Sequence, residues 1–160
     1  MANETEQRQN EFSIQRIYVK DLSVELPRSP EIFKEEWKPE LKLDLHIEHS
    51  NLEAISEKDY YEVRLVIRVT VSLPGERTAF LIELTEAGIF RIAGWKDEEL
   101  DRVLKIFCPN LLFPYAREMI SECTVRASFP PLYITPISFE ALYEEGRRRQ
   151  REREKVENKE

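Results

Sequence analysis

Between Tyr60 and Leu84 the chain reads YYEVRLVIRVTVSLPGERTAFLIEL, with apolar side chains at every second position over its first half. Tyr61, Val63, Leu65, Ile67, Val69, Val71 and Leu73 fall on one side. Glu62, Arg64, Arg68, Thr70 and Ser72 fall on the other. A period of two means a strand with one apolar and one largely polar face. Pro74-Gly75-Glu76 supplies turn chemistry, because Pro fixes φ and Gly tolerates positive φ. The return run, 77–85, places Phe80, Ile82 and Leu84 on one face and Ala79, Leu81 and Glu83 on the other. The stretch predicts a β-hairpin. Ala79 and Leu81 set apolar surface beside Glu83 on the face that should meet water. Two readings follow: a strand packed on both sides, or a face that docks a partner.

Residues 40–49 alternate most cleanly. Leu41, Leu43, Leu45 and Ile47 face one way; Lys42, Asp44, His46 and Glu48 face the other. Residues 12–26 also read as a strand, but Phe12 and Ile14 differ in parity from Ile17 and Val19, which predicts a bulge near Gln15-Arg16. Asp21 and Glu25, four apart, point the same way in a strand. The segment EIFKEEWKP, 31–39, carries Phe33 and Trp37 among charges. Either both aromatics plug the core, or a crossover leaves them lining a groove.

Beyond the hairpin, GIFRIAG is a short apolar passage bounded by glycines. Asp97 reads as a helix N-cap. Leu100, Val103, Leu104 and Phe107 follow at helical spacing, and Pro109 ends or kinks that helix. Asn110 can cap a second helix carrying Leu111, Leu112, Tyr115, Ala116, Met119, Ile120 and Cys123. That apolar arc is wider than one surface helix needs, so the helix is either deeply buried or shared with another subunit. The prolines of FPPLYITP, 129–136, predict an extended segment. Ser138 can cap a last helix with Phe139, Leu142 and Tyr143 along one side. From Glu144 the pattern dissolves into an Arg/Glu-rich run, which reads as a solvated tail because aromatics are absent and glutamates interrupt the basic residues.

Composition narrows the chemistry. A net charge of −7 disfavours general binding to nucleic acid or anionic lipid. Four glycines and no Gly-rich phosphate motif argue against nucleotide binding. The two cysteines, Cys108 and Cys123, fit small apolar core residues in a reducing compartment. His46 and His49 have the spacing of a metal pair, yet three apart in a strand they point to opposite faces. The carboxylates form no grouping that stands out as acid/base machinery. Neither cofactor, metal nor enzyme activity is expected. The polar N-terminus lacks an apolar signal core, and a cytoplasmic location is expected. The organisation expected is a disordered tail over 1–10, one domain over 11–145 and a charged tail over 146–160.

The ordered stretches FSIQRIYVKDLSVELP, WKPELKLDL, YYEVRLVIRVTV, TAFLIEL with GIFRIAG, CPNLLFPYARE and SFPPLYITPISFEALY make the chain similar to the SecB protein-export chaperones over roughly residues 10–145. The resemblance implies an α+β fold: a four-stranded antiparallel sheet with helices on one face, assembled as a dimer of dimers. It implies an ATP-independent holdase that passes unfolded secretory precursors to the SecA motor. Asp21, Glu25, Leu81 and Glu83 match the family's docking surface for the small zinc-bearing SecA tail; the zinc belongs to the partner. Ile82, Leu84 and Glu86 fall at subunit-contact positions, and Leu112, Tyr115 and Met119 supply the helix face expected to join them. Phe33, Trp37, Leu41, Leu43, Leu45, Phe139, Leu142 and Tyr143 are the expected client groove. The charged loop over 47–59 and the Arg/Glu tail depart from the family pattern. A SecB-like chaperone dedicated to one client, such as an antitoxin, is the competing reading.

Overall fold

A computed structural model describes residues 9–159. The expectation for the N-terminal tail therefore lies almost wholly outside the described residues. Four strands, β1 (Glu11–Glu25), β2 (Glu40–Asn51), β3 (Tyr60–Leu73) and β4 (Arg77–Ala93), form one antiparallel sheet in the order β1-β4-β3-β2. The β3–β4 hairpin is its centre, and β1 and β2 are its edges. In β1 the register shifts between Ile14 and Arg16, where the parity change predicts a bulge, and again between Val19 and Asp21.

Strand β4 runs eight residues past the expected end. The apolar passage up to Ala93 is part of the strand, and Gly88 within it has a packing role. A Cβ at Gly88 would lie 2.6 Å from the Phe90 ring and 3.0 Å from Leu112 Cδ2, so the position marks where an aromatic ring and a helix close onto the sheet. The strand stops at Gly94, whose φ of +85° suits glycine and whose Cα lies against the Gln9 backbone.

The helical layer also differs from expectation. Helix α1 (Asp97–Arg102) passes through a π turn (Val103–Phe107) into α2 (Cys108–Arg126) without a break. Pro109 does not end it. The Cys108 N–H donates to the Val103 carbonyl, five residues back, and this wider turn takes in a proline that has no N–H to give. Asn110 therefore caps nothing. Asp97 is the first helical residue, with Lys96 at the cap position, and Asp97, Glu98 and Glu99 set negative charge at the helix N-terminus.

Helix α2 buries Cys108, Leu112, Phe113, Ala116, Ile120 and Cys123 on the sheet. Under it lie Val63, Leu65, Ile67, Val69 and Val71 of β3 and Phe80, Ile82, Leu84 and Phe90 of β4. The same layer barely reaches the edges: Ile14, Val19, Leu22 and Val24 of β1 and Leu41 of β2 stay exposed. The last helix, α3 (Phe139–Glu157), begins at the expected Ser138 cap, whose Oγ accepts the Ala141 N–H at 3.2 Å. It then continues through the region expected to be a tail. Pairs such as Arg149–Glu145 at 2.8 Å support it, since opposite charges four apart stabilise a helix that has little core to pack on. Among the described residues no helix is long and apolar enough to cross a membrane.

Replacing Gly88 with Ala is expected to lower stability by about 1–3 kcal/mol through overpacking. Urea unfolding of both proteins measures this, and an unchanged midpoint would contradict the close approach of Phe90 and Leu112.

Candidate functional site

The groove is built from the crossover after β1. Ile32, in a short 3₁₀ turn (Glu31–Lys34), is buried and anchors the segment. Phe33, by contrast, is 46% exposed, and Trp37 is half-buried. The two readings of EIFKEEWKP thus divide: Ile32 plugs the core, and the aromatics are left on a groove. Both rings meet Phe129, Phe33 at 5.3 Å and Trp37 stacked at 5.2 Å, while Phe80 closes the cluster from β4 at 5.1 Å.

Phe129 is held in place by the end of α2. Its N–H donates to the Thr124 carbonyl at 3.0 Å, and Thr124 Oγ1 accepts the Leu132 N–H at 3.0 Å. Thr124 is fully buried, and these bonds fix the Phe129-Pro130-Pro131 wall. Neither Ile32 nor Phe129 stood out in the sequence as a groove residue. Proximity to the aromatic pair and to the Pro-Pro pair was the only local signal.

From this cluster the groove follows edge strand β2. A cavity of about 140 Å³ lies among Trp37, Pro39, Leu41, Phe80, Pro131 and Leu132. A larger hollow of about 770 Å³ lies between Leu45 and Ile47 of β2 and Leu142, Tyr143 and Arg147 of α3. Leu43 falls between them on the same strand face, at the register position of Val69. From Leu41 to Ile47 this apolar stripe is roughly 20 Å long at ~3.3 Å per residue. Of the expected groove residues, Trp37 and Leu41 line the smaller cavity and Leu45, Leu142 and Tyr143 the larger hollow, although little of Tyr143 meets solvent, while exposed Phe33 packs on Phe129. Phe139 is the correction. It is only 1% exposed and packs edge-on against Phe113 at 5.8 Å, so it anchors α3 and does not line the groove.

The opposite sheet face is charged. Glu25 pairs in register with Leu81, Ser23 with Glu83 and Asp21 with Thr85, which brings Asp21, Glu25, Leu81 and Glu83 into one cross-strand patch. Glu83 is held by Arg68 at 3.2 Å, whereas Asp21 and Glu25 form no ion pair among the described residues. Farther along, Glu62 is saturated. It accepts hydrogen bonds from Tyr18, from Lys20 at 2.7 Å and from Arg64 at 2.7 Å. Burial alone would raise its pKa, but these donors outweigh burial and hold the carboxyl down at about 2. Glu62 is therefore structural, whereas Asp21 and Glu25 stay without an ion pair among the described residues, as do Lys42 and Asp44 of β2 on the same face.

His46 and His49 do lie on opposite faces: His46 sits beside Glu48 on the charged side, and His49 shares the parity of Ile47. Among the described residues no cluster of His, Cys, Asp and Glu is arranged to hold a metal.

Four expected subunit contacts need correction, Ile82, Leu84, Glu86 and Leu112. Ile82, Leu84 and Leu112 are fully buried beneath or within the chain's own helical layer, so they form its core and present no outer surface. Tyr115 is 52% exposed and Met119 is half-buried, leaving part of the wide α2 arc open. Glu86 is 3% exposed, on the core side between Leu65 and Val19, and its Oε2 has no hydrogen-bond partner. Burial pushes its pKa up to about 7.

An apolar stripe on an open sheet edge, walled by aromatics, is a surface of the kind that suits an extended polypeptide. Residues 5–150 match the sequence model of the family described as preprotein translocase subunit SecB. The protein-export protein SecB of Pseudomonas syringae pv. tomato is 49% identical over 142 residues, covering 89% of this chain and 84% of that one. That of Stutzerimonas stutzeri is 50% identical over 133 residues, covering 83% and 78%. Among solved structures, the SecB-like chaperone Rv1957 of Mycobacterium tuberculosis, bound to a peptide of the HigA1 antitoxin, shares the fold. Its TM-score is 0.65 at 18% identity, covering 79% of this chain and 91% of that one. The chain belongs to the SecB family and is a protein-export chaperone.

Glu86 gives stability a defined pH dependence. Its pKa is raised from 4.5 in the unfolded chain to about 7 in the fold, so its contribution is complete below pH 4.5 and is lost as pH rises through about 7. Glu86→Gln should flatten this decline and stabilise the protein by on the order of 2 kcal/mol at about pH 8. Thermal unfolding from acid to alkaline pH tests it; parallel curves for both proteins would remove Glu86 as the cause.

Proposed function

We propose that this chaperone is an ATP-independent cytoplasmic holdase. It keeps unfolded secretory precursors in the β2 groove and delivers them to SecA. The observation that carries this reading is the Leu41–Ile47 stripe on an edge strand. An edge strand offers unpaired backbone groups to an extended chain, and its apolar side chains accept many sequences because the hydrophobic effect is non-directional. Burying ~1,000 Å² of client apolar surface yields a gross ~25 kcal/mol at about 25 cal/mol per Å². Ordering the client and fixing it in place offsets much of that. A folded client has already buried those side chains, so the groove selects the unfolded state without any nucleotide.

Delivery rests on the second face. Asp21 and Glu25, without an ion pair among the described residues, lie beside Leu81 and Glu83, and such a patch suits a small basic partner segment, as expected for the zinc-bearing tail of SecA. The client groove lies on the other side of the sheet, so client and motor need not compete. Assembly as a dimer of dimers is supported by apolar side chains that the single chain leaves uncovered: Ile14, Val19, Leu22 and Val24 on β1, and Tyr115 on α2. Residues 11–145 would be the chaperone domain proper.

An unfolded, slow-folding precursor diluted into buffer with this protein and no nucleotide should remain in solution, as followed by light scattering. Aggregation of several different precursors at an unchanged rate would overturn the general role and favour a dedicated client. Asp21→Lys with Glu83→Lys should weaken binding of a SecA-tail peptide more than ten-fold, while Leu41→Asp weakens client binding instead. If charge reversal leaves tail binding intact, the docking assignment fails and the holdase reading stands.

A further inference from the structure

The Arg/Glu run that continues α3 has no place in the function described so far, yet its first turns carry an unusual set of contacts to α1. Arg102 of α1 reaches Glu140 and Glu144 of α3, each at 3.2 Å. Arg147 of α3 reaches back to Glu98 of α1 at 2.7 Å. Between them the Tyr143 hydroxyl donates to Asp101 at 2.9 Å, and the Tyr143 ring lies between two guanidinium groups, Arg102 at 5.3 Å and Arg147 at 5.7 Å from its centre. Positive and negative groups alternate across this seam, so each helix contributes an arginine to the other's carboxylate.

Apolar attachment is slight by comparison. Phe139 and Tyr143 are the only buried residues of α3, both in its first two turns. The segment that leads into it, 127–138, is free of helix and strand. Past its first turn α3 lies over the 770 Å³ hollow beside Leu45 and Ile47 rather than over packed core. A helix over a solvent-accessible hollow, fixed at one end by two aromatics and otherwise by partly exposed charges, has little to lose by swinging away.

We infer that α3 is a charge-latched lid over the Leu45–Ile47 half of the groove, and that releasing its clasp to α1 lengthens the surface open to an extended client. This rests on the groove being the client site. Each exposed ion pair is weak alone. Two of the three here share Arg102, and the Tyr143 ring lies against both Arg102 and Arg147, so the three act as one unit. The consequence is direct. Salt screens the clasp and strengthens hydrophobic capture, so raising ionic strength opens the lid without weakening the groove.

Hydrogen–deuterium exchange on the full chain reads the lid itself. In wild type, exchange over 139–150 should rise between about 20 mM and about 500 mM NaCl. Arg102→Gln with Arg147→Gln should exchange rapidly in this segment at both salts. The swapped pair Glu98→Arg with Arg147→Glu should restore slow exchange at low salt. A net-neutral fluorescent peptide of Leu, Phe, Ser and Gly serves as client. It should bind about five-fold more tightly to the Gln double variant than to wild type at low salt, with the difference gone at high salt. Equal exchange in wild type and the Gln variant, with circular dichroism unchanged, overturns the lid. Faster exchange in the variant with equal peptide affinity leaves a mobile helix that does not gate the groove, and overturns the gating. Absence of peptide binding by every variant at every salt overturns the groove reading itself, while the exchange data still decide whether the clasp holds α3.

Discussion

Incomplete cover of one sheet face is the constraint from which the rest of the structure follows. The α1–α2 layer lies over β3 and β4 and buries their side chains almost completely. A single helical layer is about 10 Å wide, while four strands at ~4.8 Å spacing span more than that. Two edge strands must therefore keep apolar side chains in partial contact with water. One of them, β2, carries the Leu41–Ile47 stripe proposed as the client groove. The other, β1, leaves Ile14, Val19, Leu22 and Val24 exposed. A core that covered all four strands would give a more stable monomer with nothing to offer an unfolded chain.

Several local departures serve this geometry. The π turn lets one helical rod run from Asp97 to Arg126 despite Pro109, so that α1 reaches beside the groove while α2 stays over the central strands. Gly88 lets Phe90 and Leu112 approach the sheet closely at the point where the rod crosses. Thr124 fastens the loop after α2, which sets Phe129 under Trp37. Charge is sorted by face. The outer face carries the Glu62 network and the acidic patch, and the groove side carries charge chiefly at the α1–α3 seam. Glu86 is the exception, a buried carboxyl whose Oε2 has no hydrogen-bond partner among the described residues.

Much of this could be read from the residues in order. Alternation over 40–49 and 60–73 fixes which side chains share a face, because the period of a strand leaves no freedom once the strand exists. The parity change near Gln15-Arg16 locates a bulge for the same reason. Ser138 marks a helix start through a hydrogen bond that spans three residues. Family membership is legible too, since long ordered stretches survive in sequence. The boundaries that misled were those where a residue's usual local role gave way to packing. Gly88 bounds an apolar passage in the sequence but marks a close approach inside a strand. Pro109 looks like a stop but sits in a widened turn. The Arg/Glu run looks like a tail but is a helix supported by its own charge pairs and by α1.

What the sequence determined by itself was the facing of each side chain within its own strand or helix, a property set by backbone geometry over a few residues. Which of those faces is covered was decided only by the tertiary structure. Ile82 and Leu41 are both apolar side chains of one sheet face, yet Ile82 is fully buried and Leu41 is 48% exposed. No local pattern distinguishes them. Their difference arises because β4 ended up central and β2 at the edge, and that order is fixed by pairings between strands far apart in the chain. The same holds for Phe33, Trp37, Phe80 and Phe129, which converge on one cluster from three segments of the chain only after the sheet and helices are assembled.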